Sequence, residues 1–251
     1  MITERKLKQI ADQNKINPYY QEKDYLQNIL LREISGEDMV FKGGTCLKIC
    51  YNLPRFSEDL DFNTEKAPEE IEEIIRNGVK AFGRMGIDTE FERSEKFEQN
   101  SSYTAHIRFE GPLYRGNRSS TNTVQVDAGK RTGTILETDV KQVTSPYPDI
   151  PSYFLTTIQL EEILAEKIAA MDERSKGRDL FDIWFLIDKT GINEDLIDQK
   201  TSGSISVSFP SEEDYRRDLS DLLPNVPPYE KVSKSVKQNL EKEGLKVNLK
   251  L

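Results

Sequence analysis

The segment FKGGTCLKICYNLPRFSEDLDFN, residues 41–63, joins a Gly-Gly-Thr turn to an Asp-x-Asp pair. Between them, Leu47 and Cys50 lie on one side of a predicted short helix over residues 45–51, which the following Asn-Leu-Pro ends. From residue 58 to residue 63, acidic and apolar side chains alternate, which is typical of a strand. The segment therefore predicts a turn, a short helix and a strand in succession.

Two of the three acids in this segment face the same way. Asp59 and Asp61 share one face of the predicted strand, because successive side chains of a strand point to opposite faces, and Glu58 points away from them. A second predicted strand, residues 121–127, ends in Asp127, which joins the pair if the two strands are neighbours. Three clustered carboxylates repel each other unless a cation binds them or one takes up a proton. The cluster therefore favours a site for a hard metal ion, and the alternative is the solvent-facing side of an edge strand.

The Gly-Gly-Thr turn carries the other half of this candidate site. Glycine lets the backbone approach a ligand closely, and the N–H groups at a helix start bind phosphate. Gly43, Gly44 and Thr45 are therefore candidate nucleotide-binding residues, and Ser57, two positions before Asp59, is a further candidate phosphate contact. The alternative is a plain turn in which Thr45 caps the helix. A phosphate-binding turn and a pair of acids in one helix–strand unit favour the functional interpretation.

The chain as a whole predicts an α+β part followed by a mainly helical part. Helices are predicted at residues 1–38, 67–85, 158–173 and 178–189, and further strands at residues 88–94 and 103–110. Proline-rich residues 146–151 predict the boundary. We therefore expect two domains, residues 1–150 and residues 151–251.

The composition excludes several classes of protein. A net charge of −9 is incompatible with a uniformly basic nucleic-acid binder. One histidine and two cysteines argue against a structural zinc site, and we expect His106 to pack on a strand and Cys46 and Cys50 to be reduced thiols in the core. The longest apolar run, residues 183–187, is far short of the ~20 residues that span a bilayer. Without a membrane span or an apolar signal core, we expect a cytoplasmic protein.

Residues 41–63 resemble the signature of the DNA polymerase β-like nucleotidyltransferase superfamily, a Gly-Gly-Ser-like turn followed by Asp-x-Asp. They are still more similar to the AbiEii/AbiGii toxin family, which has MenT-type relatives and a motif of approximately F-K-G-G-T-x-L followed by R-x-S-x-D-x-D-F. Residues 19–31 resemble the leading helix of that family, and residues 160–184 resemble its later motif, K-x-x-A-x-x-x-R-x-x-x-R-D-x-x-D. The resemblance covers roughly residues 19–190 and implies a nucleotidyltransferase-fold mixed sheet with flanking helices.

The resemblance also implies roles for individual residues. Asp59 and Asp61 would hold Mg²⁺ or Mn²⁺ ions that bridge the triphosphate of a bound NTP, and Asp127 would be the third metal-binding carboxylate, near the attacking hydroxyl. Lys167 would neutralise triphosphate charge. Asp182 would either orient a basic side chain or contact the nucleotide.

Arg174 and Arg178 are implied as further nucleotide-binding residues. On one unbroken helix they would share an arc of about 80° with Lys167 and Asp182, although Gly177 can kink that helix. The alternative is that the arginines form salt bridges with nearby acids, namely Glu166, Asp172 or Asp179.

Other basic side chains near the acids in sequence have two interpretations each. Arg55 is either a structural counter-ion or a contact to the triphosphate. A basic group flanks Asp127 and either guides phosphate or belongs to a solvated loop; its members are Arg115, Arg118, Lys130 and Arg131.

The activity implied by the resemblance is metal-dependent transfer of a nucleoside monophosphate from an NTP to an acceptor hydroxyl, with release of pyrophosphate. In that family the enzyme is the toxin of a bacterial toxin–antitoxin or abortive-infection pair. We therefore expect an RNA acceptor, first of all the 3′ end of tRNA, and a separately encoded AbiEi-type antitoxin. Two alternatives stay open: transfer to a hydroxyl of a protein or a small molecule, and a catalytically silent nucleotide-binding module.

Overall fold

The computed structural model describes residues 1–97, 101–130, 133–201 and 206–249. The chain divides into two compact units. Unit 1 comprises Met1–Asn52, Phe56–Thr134 and Thr138–Thr157, and unit 2 comprises Leu53–Arg55, Ile135–Glu137 and Ile158–Leu251. Unit 1 therefore extends beyond residue 150, where the sequence predicts a boundary.

Unit 1 is built on one mixed sheet. Its helices are α1 (Glu4–Asn14), α2 (Pro18–Glu33), α3 (Gly43–Tyr51) and α4 (Pro68–Arg84). Its strands are β1 (Val40–Lys42), β2 (Asp59–Asn63), β3 (Asp88–Phe97), β4 (Ser102–Glu110), β5 (Asn122–Gly129), β6 (Asp139–Val143) and β7 (Tyr153–Thr157). They form a seven-stranded sheet in the order β3-β4-β5-β2-β1-β7-β6. Strand β2 runs parallel to β5 and β1 parallel to β7, and the other neighbours are antiparallel, which confirms the predicted α+β fold with a mixed sheet.

One face of this sheet is apolar. Residues of β4 and β5 alternate between buried and half-buried, so Ile107, Val124 and Val126 point into the core. Helix α4 packs on this face, where Phe82 lies against Phe109 of β4 with ring centroids 4.7 Å apart. The opposite face carries the alternate, polar side chains of β2, β4 and β5, among them the predicted carboxylates.

Helix α2 is buried along most of its length and is tied to the loop between β6 and β7. The hydroxyl of Tyr147 donates to Asp24 Oδ2 at 2.6 Å, and the hydroxyl of Tyr25 donates to Asp149 Oδ2 at 2.7 Å. Tyr147 itself is only 1% exposed. Residues 146–151, the predicted linker, are thus packed within unit 1, and β7 after them completes its sheet.

The helix after the glycine turn begins at Gly43, earlier than the predicted residue 45. Strands β1, β6 and β7 are not predicted by the sequence. Strand β1 has only three residues, which is too short for an alternating pattern to be recognised.

Unit 2 is mainly helical, as predicted. Its helices are α5 (Leu160–Glu173), α6 (Gly177–Ile187), α7 (Glu194–Lys200), α8 (Glu212–Leu219) and α9 (Tyr229–Lys242). Two short strands, β8 (Ser206–Phe209) and β9 (Lys246–Leu249), pair in parallel, and the sequence does not predict them. Among all described helices of the chain, none is long and apolar enough to cross a membrane.

Helices α5 and α6 are separate. Arg174, directly after α5, has an extended backbone with φ −146° and ψ 139°. Helix α6 begins at Gly177, where a Cβ would lie 2.6 Å from Tyr215 Cα of α8. The unbroken helix that would align Lys167 with Asp182 is therefore absent, and the placement of these side chains depends on how the two helices pack.

Candidate active site

The register of the sheet brings the three predicted carboxylates to one face of neighbouring strands. Asp61 of β2 is the direct partner of Asp127 in parallel β5 and of Lys42 in antiparallel β1. Asp59 lies two residues earlier on β2, opposite Gln125. Directly paired residues of neighbouring strands point to the same face. Asp59, Asp61 and Asp127 therefore form one group, called the acidic cluster below, as the three-carboxylate hypothesis requires.

Asp127 is fixed by two donors on this face. Thr104 Oγ1 of β4 donates to Asp127 Oδ1 at 2.6 Å, and Gln125 Nε2 donates to Asp127 Oδ2 at 2.6 Å. Sequence reasoning missed both donors. The contact of Gln125 could have been predicted, because Gln125 precedes Asp127 by two positions and so lies on the same face of the strand. The approach of Thr104 depends on the register of β4 against β5.

Gly43 is packed directly against the acidic cluster. Its φ is +76°, a left-handed value that favours glycine. A Cβ at this position would lie 3.1 Å from Asp61 Cγ and closer still to Asp61 Oδ2. Only glycine therefore lets α3 begin beside Asp61. The N–H groups of a first helical turn lack partners within the helix, and such groups bind phosphate.

Thr45 holds the start of α3 against β2. Its hydroxyl donates to the backbone oxygen of Asp59, and the residue is buried. The residue that caps α3 is Lys42, without a side-chain hydrogen bond, so the predicted alternative that Thr45 caps this helix is wrong, and phosphate binding by the turn stays a prediction. Gly44, the remaining residue of the turn, is buried as well.

The segment before β2 separates Glu58 from the acidic cluster. The Glu58 carboxylate lies 3.5 Å from Lys23 Nζ of α2. Gln27 Nε2, also on α2, donates to the backbone oxygens of Ser57 and Glu58 at 3.2 and 2.8 Å. Glu58 is thus engaged by α2, although it lies before the first residue of β2 and strand alternation does not fix its side chain. Ser57 lies before the first residue of β2, so strand alternation does not determine where its side chain points, and its phosphate contact stays a prediction.

The acidic cluster has the donor chemistry of a magnesium site. Carboxylate oxygens are ligands that Mg²⁺ prefers, and three carboxylates face the same side of adjacent strands. Within the ranges that the structure describes, no three histidine, cysteine or acidic side chains are already arranged to hold a metal ion. Carboxylates without a cation repel one another, so a bound cation would stabilise the acidic cluster. The residues fit a hard ion, and Asp127 must then share its oxygens with Thr104 and Gln125.

Unit 2 contains a second charged group. Lys167 Nζ of α5 lies 2.8 Å from Asp179 Oδ1 and 2.9 Å from Asp182 Oδ2 of α6. Arg55 Nε and Nη2 donate to the two oxygens of Asp182, each at 2.6 Å. Arg174 Nε donates to Asp179 Oδ2 at 3.0 Å. These five residues, called the lysine cluster below, include the predicted Lys167, Arg174 and Asp182.

Lys167 and Asp179 are both charged at neutral pH. Burial raises the pKa of Asp179, but Lys167 and Arg174 outweigh this effect and hold that pKa at about 2. Burial acts to lower the pKa of Lys167, but Asp179 and Asp182 outweigh it and raise that pKa. Lys167 is therefore an ammonium group whose side chain is only 12% exposed.

The two predicted arginines differ in their surroundings. Arg174 forms the salt bridge with Asp179 that was the alternative to nucleotide binding, and its side chain is 56% exposed. Arg178 is half-buried in the first turn of α6. Nucleotide contacts of both arginines stay predictions.

The basic residues that flank Asp127 in sequence are paired with acids. The pairs are Arg115 with Glu4, Arg118 with Glu92, and Lys130 with Glu65. Arg131 lies outside the described residues. These exposed ion pairs favour a solvated loop over a phosphate guide.

The histidine and the cysteines have no place in the two clusters. His106 lies on β4, as expected, but its side chain is on the polar face of the sheet, beside its cross-strand partner Gln125. Its Nδ1 is buried without a hydrogen-bond partner in the described part of the chain. Cys46 is buried and Cys50 half-buried, and the two are not joined in a disulfide.

The fold of this chain is similar to that of solved structures, one of which is a nucleotidyltransferase toxin. The chain is similar to MenT4, a nucleotidyltransferase toxin from Mycobacterium tuberculosis H37Rv, with a TM-score of 0.71 and 19% identity over 95% of this chain and 88% of that one. It is also similar to JHP933 from Helicobacter pylori, with a TM-score of 0.58 and 21% identity over 91% of this chain and 96% of that one. At these identities the likeness shows the fold.

The family is shown by the sequence. The profile of the nucleotidyl transferase AbiEii toxin family, type IV toxin–antitoxin system, matches residues 24–238. The chain therefore belongs to the AbiEii family of nucleotidyltransferase toxins, which confirms the resemblance and implies an antitoxin partner. No curated protein matches the chain.

Proposed function

We propose that this chain transfers a nucleoside monophosphate from an NTP to a hydroxyl of an RNA acceptor, first of all the 3′ end of tRNA, as the toxin of an AbiE-like system. The observation that carries the proposal is the close approach of Gly43 to Asp61, which sets the start of α3 against the acidic cluster. A helix start binds phosphate, and carboxylates bind the metal ions that accompany it. Together they suit a nucleoside triphosphate.

The acidic cluster is proposed to hold Mg²⁺, or Mn²⁺ in its place. Such ions, when bound, neutralise charge on the phosphates and on the departing pyrophosphate. Asp59 and Asp61 are the proposed main ligands. Asp127, whose position is set by Thr104 and Gln125, is the proposed third ligand and orients the acceptor hydroxyl.

In the proposed reaction the acceptor oxygen forms a bond to the α-phosphorus of the NTP, and the bond from that phosphorus to the bridging oxygen of pyrophosphate breaks. The electron pair leaves with pyrophosphate, and the hydroxyl proton passes to solvent. Backbone N–H groups at Gly43 and Gly44 bind phosphate oxygens. The ammonium group of Lys167, kept charged by Asp179 and Asp182, neutralises triphosphate charge.

The proposal also includes the other predicted nucleotide contacts, the antitoxin and the cellular location. Ser57, Arg174 and Arg178 are proposed as additional nucleotide contacts. The antitoxin implied by the family is proposed to be a separately encoded protein of the AbiEi type. The reaction is proposed to take place in the cytoplasm, where NTPs and tRNA occur together.

The test is incubation of the purified chain with each labelled NTP, Mg²⁺ and total tRNA. We expect label on tRNA, and we expect Asp59→Ala to abolish it. Glu58→Ala is the matched control, because it removes the neighbouring carboxylate that lies against Lys23 of α2. We expect Glu58→Ala to keep most of the activity.

The other outcomes separate the alternatives. Label on a protein or a small molecule would show that the acceptor belongs to that class and is not RNA. Saturable NTP binding without transfer to any acceptor would identify a silent nucleotide-binding module. Equal loss of activity in Asp59→Ala and Glu58→Ala would contradict the role of the acidic cluster.

A further inference from the structure

Arg55 and Asp182 form a buried pair with matched geometry. Both nitrogens at one edge of the guanidinium, Nε and Nη2, donate to the two carboxylate oxygens, each at 2.6 Å. The side chain of Arg55 is 2% exposed and that of Asp182 is fully buried. Two parallel hydrogen bonds fix the plane of a carboxylate as well as its distance. The orientation of Asp182 is therefore set by Arg55.

Asp182 in turn holds Lys167. The same oxygen that accepts from Arg55 Nη2, Oδ2, lies 2.9 Å from Lys167 Nζ. Lys167 has a second carboxylate neighbour, Asp179, at 2.8 Å, which itself accepts from Arg174. The ammonium group is thus fixed from two sides by carboxylates that are each held by an arginine.

The charge of the cluster favours an anionic ligand. Arg55, Lys167 and Arg174 contribute three positive charges, and Asp179 and Asp182 contribute two negative ones. The difference, 3 − 2, is one positive charge. The carboxylates fix the lysine and arginines without cancelling their charge fully.

We propose that Arg55 is a positioning residue: it acts through Asp182 to fix Lys167 and does not itself contact the triphosphate. The inference rests on the proposed function. Of the two roles that the sequence leaves open for Arg55, structural counter-ion and triphosphate contact, it selects the first. Asp182 then has the role of orienting a basic side chain. The Arg55 side chain is 2% exposed and its Nε and Nη2 bond to Asp182, so it offers almost no accessible surface to a phosphate group.

The test is a double-mutant cycle with Arg55→Met, Asp182→Asn and the double variant, measured as kcat and KM for the NTP. We expect each single change to lower kcat/KM roughly a hundredfold, as misplacing a catalytic group by ~1 Å does. Because both residues act through Lys167, the double variant is expected to be no worse than the poorer single variant. If the losses in kcat/KM of the two single variants multiply in the double variant, and KM rises only in Arg55→Met, then Arg55 binds the triphosphate directly.

A matched control separates positioning from loss of stability. Lys200 and Glu162 form another buried pair in unit 2, 2.6 Å apart, with side chains 1% and 0% exposed. Lys200→Met removes the ion pairs of Lys200 with Glu162 and with Glu166, neither of which belongs to the lysine cluster. We expect it to lower the unfolding temperature and leave kcat per folded molecule unchanged. An equal loss of kcat in Lys200→Met and Arg55→Met would overturn the proposal.

A second readout does not require transfer activity. The rate at which hydroxyl radicals oxidise the Lys167 side chain, followed by mass spectrometry, reports how far that side chain is exposed and does not require the neutral amine. We expect Arg55→Met to raise this rate at least severalfold and Lys200→Met to leave it unchanged. An unchanged rate in Arg55→Met overturns the positioning role whether or not an acceptor is found. Absence of transfer in the wild-type protein would contradict the proposed function alone.

Discussion

Gly43 cannot be replaced by a larger residue without cost, because both its backbone conformation and its surroundings exclude a side chain. Alanine at this position would carry a methyl group into the Asp61 carboxylate at a φ of +76°. A left-handed backbone costs about 1–2 kcal/mol for a residue with a side chain. We expect Gly43→Ala to lower the unfolding free energy by about that amount and transfer activity roughly a hundredfold.

The control for Gly43 is another glycine of unit 1. Gly83 lies within α4, and a Cβ there would meet nothing within 4 Å. Gly83→Ala is therefore expected to keep full activity and to stabilise the helix by about 0.5–1 kcal/mol. Chemical denaturation and the transfer assay measure both variants. Full activity of Gly43→Ala would show that the approach to Asp61 does not matter.

Asp179 makes stability depend on pH in a defined window. Its pKa is held at about 2, below its ordinary value of 3.8, since Lys167 and Arg174 outweigh the effect of burial. A lowered pKa means that the stabilisation is complete above about pH 4 and is lost as the pH falls towards 2. A shift of this size corresponds to on the order of 2 kcal/mol.

The measurement compares the wild-type protein with Asp179→Asn by urea unfolding between pH 6 and pH 2.5. We expect the difference in unfolding free energy to be constant above about pH 4 and to shrink below it. A difference that stays constant down to pH 2.5 would show that Asp179 is not held ionised by its partners.

At the scale of elements, the sequence predicts β2, β4, β5 and α4 closely because each has a local signal. Alternation marks the strands, and Pro68 in the first turn marks the start of the helix. Strands β6 and β7 lack such a signal. Phe154 is 58% exposed and Val140 68% exposed, so apolar side chains there do not mark a buried face.

The close packing of α6 against α8 is an element-scale feature that Gly177 makes possible. A Cβ at Gly177 would lie 2.6 Å from Tyr215 Cα, a backbone atom that cannot move aside alone. We expect Gly177→Ala to lower the unfolding free energy by about 1–3 kcal/mol, as overpacking does. Gly191→Ala, where nothing lies within 4 Å of a Cβ, is the control and is expected to change stability little. Thermal unfolding that does not distinguish the two would contradict this packing.

At the scale of the whole molecule, the two units do not coincide with two consecutive halves of the chain. Strand β7 follows the predicted boundary but pairs with β1 and β6 in the sheet of unit 1. Two short segments that precede the predicted boundary at residue 150, Leu53–Arg55 and Ile135–Glu137, belong to unit 2. A boundary predicted from proline content alone misses both facts, because proline content indicates local stiffness of the chain and says nothing about contacts.

Hydrogen exchange of the intact chain tests this division. Ile107→Val in β4 and Ile168→Val in α5 each remove one buried methyl group from a different unit, at a cost of about 0.5–1.5 kcal/mol. We expect Ile107→Val to speed exchange of the β7 amides together with those of β4, and Ile168→Val to leave β7 unchanged. A β7 that responds only to Ile168→Val would favour the boundary at residue 150, and an equal response to both would indicate a single cooperative unit.

The sequence by itself determined the glycine turn and the Asp-x-Asp strand, because turn chemistry and strand alternation are local. It also determined the family, since each motif is a short run of neighbouring residues that can be recognised without the fold. Only the tertiary structure decided that Thr104 and Gln125 fix Asp127, and that Arg55 pairs with Asp182. Contacts between residues distant in sequence depend on register and helix packing, which no local pattern encodes.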